Sequence, residues 1–230
     1  MKMSEYFYWV NVDKKEYLCP TDFDLGLKQH ESVARDNDLL AALHTLLANE
    51  WNGDRILFLG DECPVPVHPD CEALRILNCD TERHHTGHYY DTVVESYRNV
   101  SGLFCDAETK VRQEIQYYLD DLRDYNSGKR TELPVNEYGI NSDRPFEGLF
   151  TKKGTNFPYI INYTKKVYYS FALTRILQKN RSENTYSDPL PLLLEYGHKI
   201  NHGTWVGDRI GVSNTITSEY TLIKEIVLDW

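Results

Sequence analysis

The 230-residue sequence lacks the short motifs that would assign it a common enzymatic activity. It contains no G-x-x-x-x-G-K-S/T, no G-x-G-x-x-G and no G-x-S-x-G, the patterns of phosphate-binding loops, dinucleotide-binding turns and nucleophile elbows. It has no C-x-x-C pair either. Its 5 cysteines are scattered and odd in number, which favours reduced thiols over a disulfide framework. We therefore expect neither a familiar nucleotide enzyme nor a disulfide-stabilised domain.

Long basic runs and long apolar runs are also missing. The sequence holds 25 Lys and Arg against 35 Asp and Glu, and no run of Lys and Arg exceeds two residues, as in Lys152-Lys153 and Lys165-Lys166. The resulting charge of −10 repels phosphate backbones, so nucleic acid is not an expected partner. No stretch approaches the roughly 20 apolar residues of a membrane span, and the N-terminus has no apolar run of signal-peptide length. These features predict a soluble, cytoplasmic protein without a membrane partner.

The sequence does contain an internal repetition. Residues 51–56, Trp-Asn-Gly-Asp-Arg-Ile, recur at 205–210 as Trp-Val-Gly-Asp-Arg-Ile. Upstream, residues 9–17 recur at 160–168, where both copies keep an Asn, a Lys-Lys pair and a Tyr at matching positions. The two anchors lie in the same order at nearly the same separation, which predicts a duplicated structural unit.

Each copy is predicted to form a β-β-α-β module. In the first, a strand from Tyr6 to Val12 turns at a polar segment into a second strand, a helix begins near residues 36–38, and a last strand runs from Arg55 to Leu59. In the second, Ser187-Asp188-Pro189 gives the same helix start signal. The alignment then places His198 at the helix position that His44 has in the first copy.

The sequence thus predicts an α+β fold of two modules, residues 1–62 and 157–230, in a pseudo-two-fold arrangement. One continuous sheet and two separate lobes both remain open. The insert between the modules, residues 63–156, is predicted to hold an extended proline-rich connector, a helix from Ala107 to about Tyr125, and a loop over 126–156.

The repeated Trp-x-Gly-Asp-Arg turns are the first candidate site. An arginine can bind a carboxylate or phosphate with two hydrogen bonds, and a histidine two helical turns away can act as an acid or base near neutral pH. The candidate ligand-binding residues are His44, Trp51, Asp54 and Arg55 with their counterparts His198, Trp205, Asp208 and Arg209. The alternative is structural, because Gly-Asp is common in turns and Trp in cores.

A second candidate is a zinc site at His84, His85 and His88, with Cys71 and Cys79 upstream. Imidazole and thiolate are good zinc ligands. However, the cysteine spacing matches no structural zinc pattern, and no Glu lies between the histidines as a metalloprotease would require. The alternative is an exposed polar loop, and no cofactor other than zinc is expected.

At its Lys14-Lys15-Glu16-Tyr17 and Trp-x-Gly-Asp-Arg-Ile residues the chain resembles a loosely defined group of uncharacterised, mostly microbial small proteins with the same order of motifs. The likeness covers only the two repeat units, and the second copy has Val167 in place of Glu. The resemblance implies a shared fold. It implies no catalytic residue, because no activity is known for the group.

Together these features predict a non-enzymatic protein-binding protein. Its 17 tyrosines and the loop 126–156 are expected to contact a protein partner, and the acidic charge suits an inhibitor or immunity factor whose partner has a basic surface. Two alternatives stay open. One is a ligand-binding or catalytic protein that uses the paired turns, and the other is a zinc protein that uses the three histidines.

Overall fold

The structure is a computed structural model of the chain. It describes residues 5–23, 25–31, 33–35, 37–104, 108–137, 139–143, 154–179, 185–198 and 203–229. Most of the predicted loop 126–156 lies within this set, but residue 138 and residues 144–153 are outside it.

The strands of the described residues are β1 (Phe7–Asn11), β2 (Glu16–Leu18), β3 (Asp54–Gly60), β4 (Arg98–Asn99), β5 (Tyr159–Asn162), β6 (Val167–Tyr169), β7 (Arg175–Gln178), β8 (Glu195–Tyr196), β9 (Arg209–Ser213), β10 (Thr221–Leu222) and β11 (Glu225–Leu228). The α-helices of the same residues are α1 (Asp38–Ala48), α2 (Glu72–His84), α3 (Tyr89–Ser96), α4 (Glu108–Asn126) and α5 (Leu190–Leu194). The fold is α+β, as the sequence predicts.

Most strands join one mixed sheet in the order β10-β6-β5-β9-β3-β1-β2-β4, with β8 beside β3. In the described part of the chain, only β7 and β11 lie outside it, as a parallel pair. The two predicted modules therefore share one continuous sheet. We call β1, β2, β3 and β4 its first half and β5, β6, β9 and β10 its second half.

The hairpin of the first half is closed by a side chain. The Asn11 side-chain oxygen accepts a hydrogen bond from the backbone N–H of Lys14 at 3.0 Å, which stabilises the turn between β1 and β2. Lys15 completes this turn in the left-handed region, with φ of 56°. In the second half Asn162 accepts from Lys165 N–H at 2.9 Å, and Lys166 has the same φ of 56°. The two hairpins thus turn by the same local chemistry.

The halves meet where β3 and β9 pair antiparallel. Arg55 lies opposite Arg209 in this register. These are the arginines that the two Trp-x-Gly-Asp-Arg-Ile segments align with each other. A two-fold relation places equivalent residues opposite each other in an antiparallel pair, so this register is the one that a pseudo-two-fold arrangement requires. A common origin of the two halves stays a prediction.

Two cores form on opposite faces of the sheet. The first core spans both halves and contains the apolar side of α1 with alternate strand residues such as Phe58, Ile160 and Ile210. The second core contains β1, β2 and β3 residues packed under α2 and α3. Among the described residues, β5, β6, β9 and β10 contribute none to the second core. The first half therefore has helices on both faces, whereas the second half has its apolar packing on one face.

The start of α1 is as predicted. Asn37 caps it, because its side-chain oxygen accepts from Leu40 N–H at 2.7 Å. The predicted helix in the insert is also confirmed, since α4 covers nearly the same residues. Helices α2 and α3, by contrast, are not among the predicted elements.

The predicted helix of the second module is wrong in length. Helix α5 ends at Leu194, and the chain then becomes strand β8, which pairs in parallel with β3 through Glu195 and Tyr196. His198 follows this strand and does not lie on a helix, so its placement beside His44 in the alignment is not a structural equivalence. The physical reason is a long-range one: hydrogen bonds to β3 replace the next turn of the helix.

Candidate functional site

The aspartate of the first repeated turn is held by its own hairpin. Asp54 Oδ2 accepts from the Asn11 side-chain amide at 2.9 Å and lies 3.6 Å from the Lys14 ammonium. The same ammonium donates to the carbonyl of Glu50. Asp54 thus joins the β1–β2 turn to the start of β3.

The aspartate of the second turn makes the corresponding contacts. Asp208 Oδ2 accepts from the Asn162 amide at 2.8 Å and forms an ion pair with Lys165, which also donates to the carbonyl of Thr204 at 2.7 Å. Asn162 is fully buried, so its amide depends on this carboxylate for a partner. Both aspartates therefore have a structural role in the hairpins.

The two arginines lie on the face opposite the first core, near the middle of the sheet. Asp13 forms an ion pair with Arg55 and has its other oxygen 3.7 Å from the Arg209 guanidinium. Arg209 also donates to the carbonyl of Gly53 at 2.7 Å. Position 164, which corresponds to Asp13 in the second hairpin, is a threonine whose hydroxyl accepts from Arg209 N–H at 2.9 Å. Two guanidinium groups consequently share one carboxylate.

The paired tryptophans are core residues. Trp51 is fully buried and its indole N–H donates to Glu16 at 2.7 Å, while Glu16 also pairs with Arg98. Trp205 is buried with its ring 5.9 Å from that of Tyr169.

The two histidines are in different environments. His44 is buried, and its Nδ1 accepts from Phe157 N–H at 3.3 Å. Its Nε2 faces Asp188 at 3.7 Å, and Asp188 accepts from the Tyr169 hydroxyl at 2.6 Å. These contacts link α1 to Tyr169 on β6, in the second half of the sheet. His198 is exposed, and its backbone N–H donates to the Glu5 carboxylate at 2.7 Å.

The eight candidate ligand-binding residues thus lie at the starts of β3 and β9, at two core positions, in a buried polar contact and in an exposed segment. Their charged groups face partners within the chain. Ligand binding by these residues stays a prediction.

The three histidines of the proposed zinc site lie at the turn between α2 and α3. His84 ends α2, His85 follows it with φ of 56°, and His88 precedes α3; all three are exposed. Within the described residues, no group of three or more His, Cys, Asp or Glu side chains is arranged to hold a metal ion. The thiol of Cys71 is partly buried, which raises its pKa above the ordinary value. Zinc binding stays a prediction.

A group of tyrosines in the second half was not singled out from the sequence. Tyr159 and Tyr168 lie on neighbouring strands with their rings edge to face, 5.7 Å apart. Tyr163 and Tyr220 form a second edge-to-face pair at 6.1 Å, with the Lys166 ammonium 5.0 Å from the Tyr220 ring. All four tyrosines are partly exposed. We call Tyr159, Tyr163, Tyr168 and Tyr220 the tyrosine face.

The tyrosine face lies on the side of the sheet opposite the first core. Ile160 and Tyr169 point into that core, so Tyr159 and Tyr168, their neighbours along the strands, point to the other side. Of the described helices, only α1 has extensive contact with the second half of the sheet, and α1 belongs to the first core. None of the extensive helix contacts in the described part of the chain therefore lies on the tyrosine face.

The first half carries the same aromatic pair in a different environment. Tyr8 and Tyr17 occupy the positions that correspond to Tyr159 and Tyr168, and their rings lie 5.4 Å apart. They are only 9% and 6% exposed, and this burial beneath α2 and α3 raises the pKa of both phenols well above the ordinary value. The sequence signal was available, since the offset that aligns the hairpins also aligns these tyrosines.

Among the described residues, no helix is long and apolar enough to span a bilayer. A scan against protein-family models, a search of curated proteins and a search of solved structures each returned no match for this chain. The resemblance to small microbial proteins stays a prediction.

Proposed function

We propose that this chain is a protein-binding protein and that a partner docks on the tyrosine face. The observation that supports the proposal is the contrast between two equivalent ring pairs. Tyr8 and Tyr17 are buried beneath helices, whereas Tyr159 and Tyr168 are partly exposed on the same side of the same sheet.

The chemistry of the tyrosine face suits a protein partner. Tyr and Arg are enriched at the centres of protein interfaces, because they offer a large contact area together with hydrogen-bonding groups. The rings lie on paired strands, so little conformational freedom is lost when a partner orders them. Arg209, whose side chain is 45% exposed, lies on the same side of the sheet.

The charge of the chain affects partner binding both at long range and at the tyrosine face itself. The net charge of −10 attracts a partner with a basic surface over distance and accelerates encounter. At the face itself, Arg55 and Arg209 share the single carboxylate of Asp13, which leaves a local excess of positive charge. An inhibitor or immunity factor would act by occupying a partner through such a face.

The proposal is tested by capture with matched variants. Tagged wild-type chain, Tyr168→Lys and Tyr117→Lys are incubated with lysate of the source organism, and proteins retained by the wild type are identified and purified. Tyr117 is the control because it is a 60% exposed tyrosine on α4 and not a member of the tyrosine face. We expect Tyr168→Lys to weaken binding of the purified partner by about tenfold or more, as at an interface hot spot, and Tyr117→Lys to bind as wild type.

Two results would contradict the proposal. One is that every protein captured by the wild type is captured equally by Tyr168→Lys. The other is a purified partner that binds both with equal affinity. Unfolding midpoints in urea, measured for each variant, separate a lost contact from a lost fold.

A further inference from the structure

In the first half of the sheet, helices of the chain itself cover the tyrosine pair that corresponds to Tyr159 and Tyr168. Helix α3 places Tyr90 on Tyr8, with the rings stacked 5.0 Å apart, and the Tyr90 hydroxyl donates to that of Tyr8 at 2.9 Å. Apolar residues of α2, including Leu74 and Leu77, fill the same core. The cover is therefore amphipathic helix with an aromatic side chain over the strand tyrosine.

The covering helices also neutralise a lysine of the hairpin. Lys15 Nζ donates to Asp80 of α2 at 2.6 Å, and Tyr97 donates to the other oxygen of this carboxylate at 2.9 Å. Asp80 is 2% exposed, so the ion pair lies at the edge of the helix–sheet contact. The covering helix α2 thus supplies a carboxylate that pairs with Lys15, the lysine in the left-handed position of the hairpin.

Lys166 is the counterpart of Lys15 in backbone and in position. Both have φ of 56°. The Lys166 carbonyl accepts a hydrogen bond from Thr221 N–H at 3.0 Å, and the Lys15 carbonyl accepts one from Arg98 N–H at 2.9 Å, in each case from the parallel strand beside the hairpin. Lys166 pairs instead with Glu219 at 3.1 Å, and both side chains are more than half exposed. An exposed pair of this kind contributes little to stability, so a partner carboxylate can replace Glu219.

The strand side chains beneath the tyrosine face differ from those at the corresponding positions of the first half. Gly211 and Ser213 stand where the first half has Leu57 and Leu59, and the Tyr163 ring occupies the space above Gly211. A partner helix must therefore contact aromatic rather than aliphatic side chains. In a second copy of this chain, α2 and α3 are packed in the second core and are not free to act as the covering helix.

We infer that the partner binds as an amphipathic helix, with a carboxylate that reaches Lys166 and an aromatic side chain that stacks on Tyr159. This inference rests on the proposed function, because it specifies what occupies the tyrosine face. It follows from the internal example, from charge complementarity at Lys166, and from the continuity of the tyrosine face with the helix-covered face of the same sheet.

The test is site-specific photo-crosslinking with the full chain. Benzoylphenylalanine replaces Tyr168 in one sample and Tyr117 in the control, and the crosslinked peptides formed in source lysate are sequenced. We expect position 168, and not position 117, to crosslink to a partner segment that is helical and contains Asp or Glu. For the purified partner, Lys166→Glu is expected to weaken binding by about tenfold, and Lys166→Arg to retain binding within about threefold.

The outcomes separate the inference from the proposed function. Crosslinks to a strand or loop of another protein, or equal affinity of Lys166→Glu and wild type, overturn the helix inference and leave a protein-binding face in place. Crosslinks of position 168 to a second copy of this chain, together with a dimer by light scattering, overturn the inference in favour of self-association. No crosslink specific to position 168 contradicts the inference and the proposed function together.

Discussion

The two halves of the sheet share the contacts that shape each hairpin and differ in what lies over them. Asn11 and Asp54 are bonded in the first half as Asn162 and Asp208 are in the second, at 2.9 and 2.8 Å. The ring pairs on the opposite side of the strands diverge, because α2 and α3 cover only the first. Repetition in the sequence therefore marks the scaffold, whereas the difference between the halves indicates where function is to be sought.

The largest expected difference between the halves concerns the tyrosines. Tyr8→Ala removes a ring that is 9% exposed and stacked on Tyr90, and we expect it to lower the free energy of unfolding by about 3–5 kcal/mol, as for other buried aromatic residues. Tyr159→Ala is expected to cost less than about 1 kcal/mol, in the range of surface substitutions without a core role. Urea denaturation of both variants measures the difference. Equal losses would mean that Tyr159 is covered as fully as Tyr8.

The repeated aspartates should respond alike, with an intermediate effect. Asp208→Ala leaves the buried Asn162 amide without its acceptor, and Asp54→Ala does the same to Asn11, so each is expected to destabilise the fold by about 1–3 kcal/mol. Thermal or urea unfolding of both variants tests this. Higher stability of either variant would support the ligand-binding hypothesis instead, because binding residues are commonly retained at a cost to stability.

The smallest expected effects concern the hairpin lysines. Lys15→Met removes one of two cationic partners of the buried Asp80, because Arg83 also lies 3.3 Å from this carboxylate. It should cost about 1 kcal/mol, less than the loss of a fully buried pair, because Lys15 is 41% exposed. Lys166→Met is expected to leave the unfolding midpoint in urea unchanged, since its pair with Glu219 is exposed. Both lysines have the same φ, so the backbone contribution cancels. A Lys166→Met variant as unstable as Lys15→Met would show that Lys166 already has a buried role.

Local sequence determined the parts of the fold whose hydrogen bonds close within a few residues. The cap at Asn37 and the Asn-based turns before Lys15 and Lys166 follow from side chains that bond to nearby backbone, and the long amphipathic helix α4 follows from periodic apolar residues. Helix α2 also has apolar residues at helical spacing, Ala73, Leu74 and Leu77, which the proline-rich connector before it obscured.

Tertiary structure alone decided the rest. Helix α5 ends early because Glu195 and Tyr196 find hydrogen-bonding partners on β3, more than a hundred residues away in the chain. Whether Asp54 or Arg209 is free for a ligand depends on partners from other segments. Tyr8 and Tyr159 have the same residue type, strand position and neighbouring ring, and only the helices over one of them distinguish a core residue from a surface contact. Burial is set by what packs across the sheet, and that is not encoded within either strand.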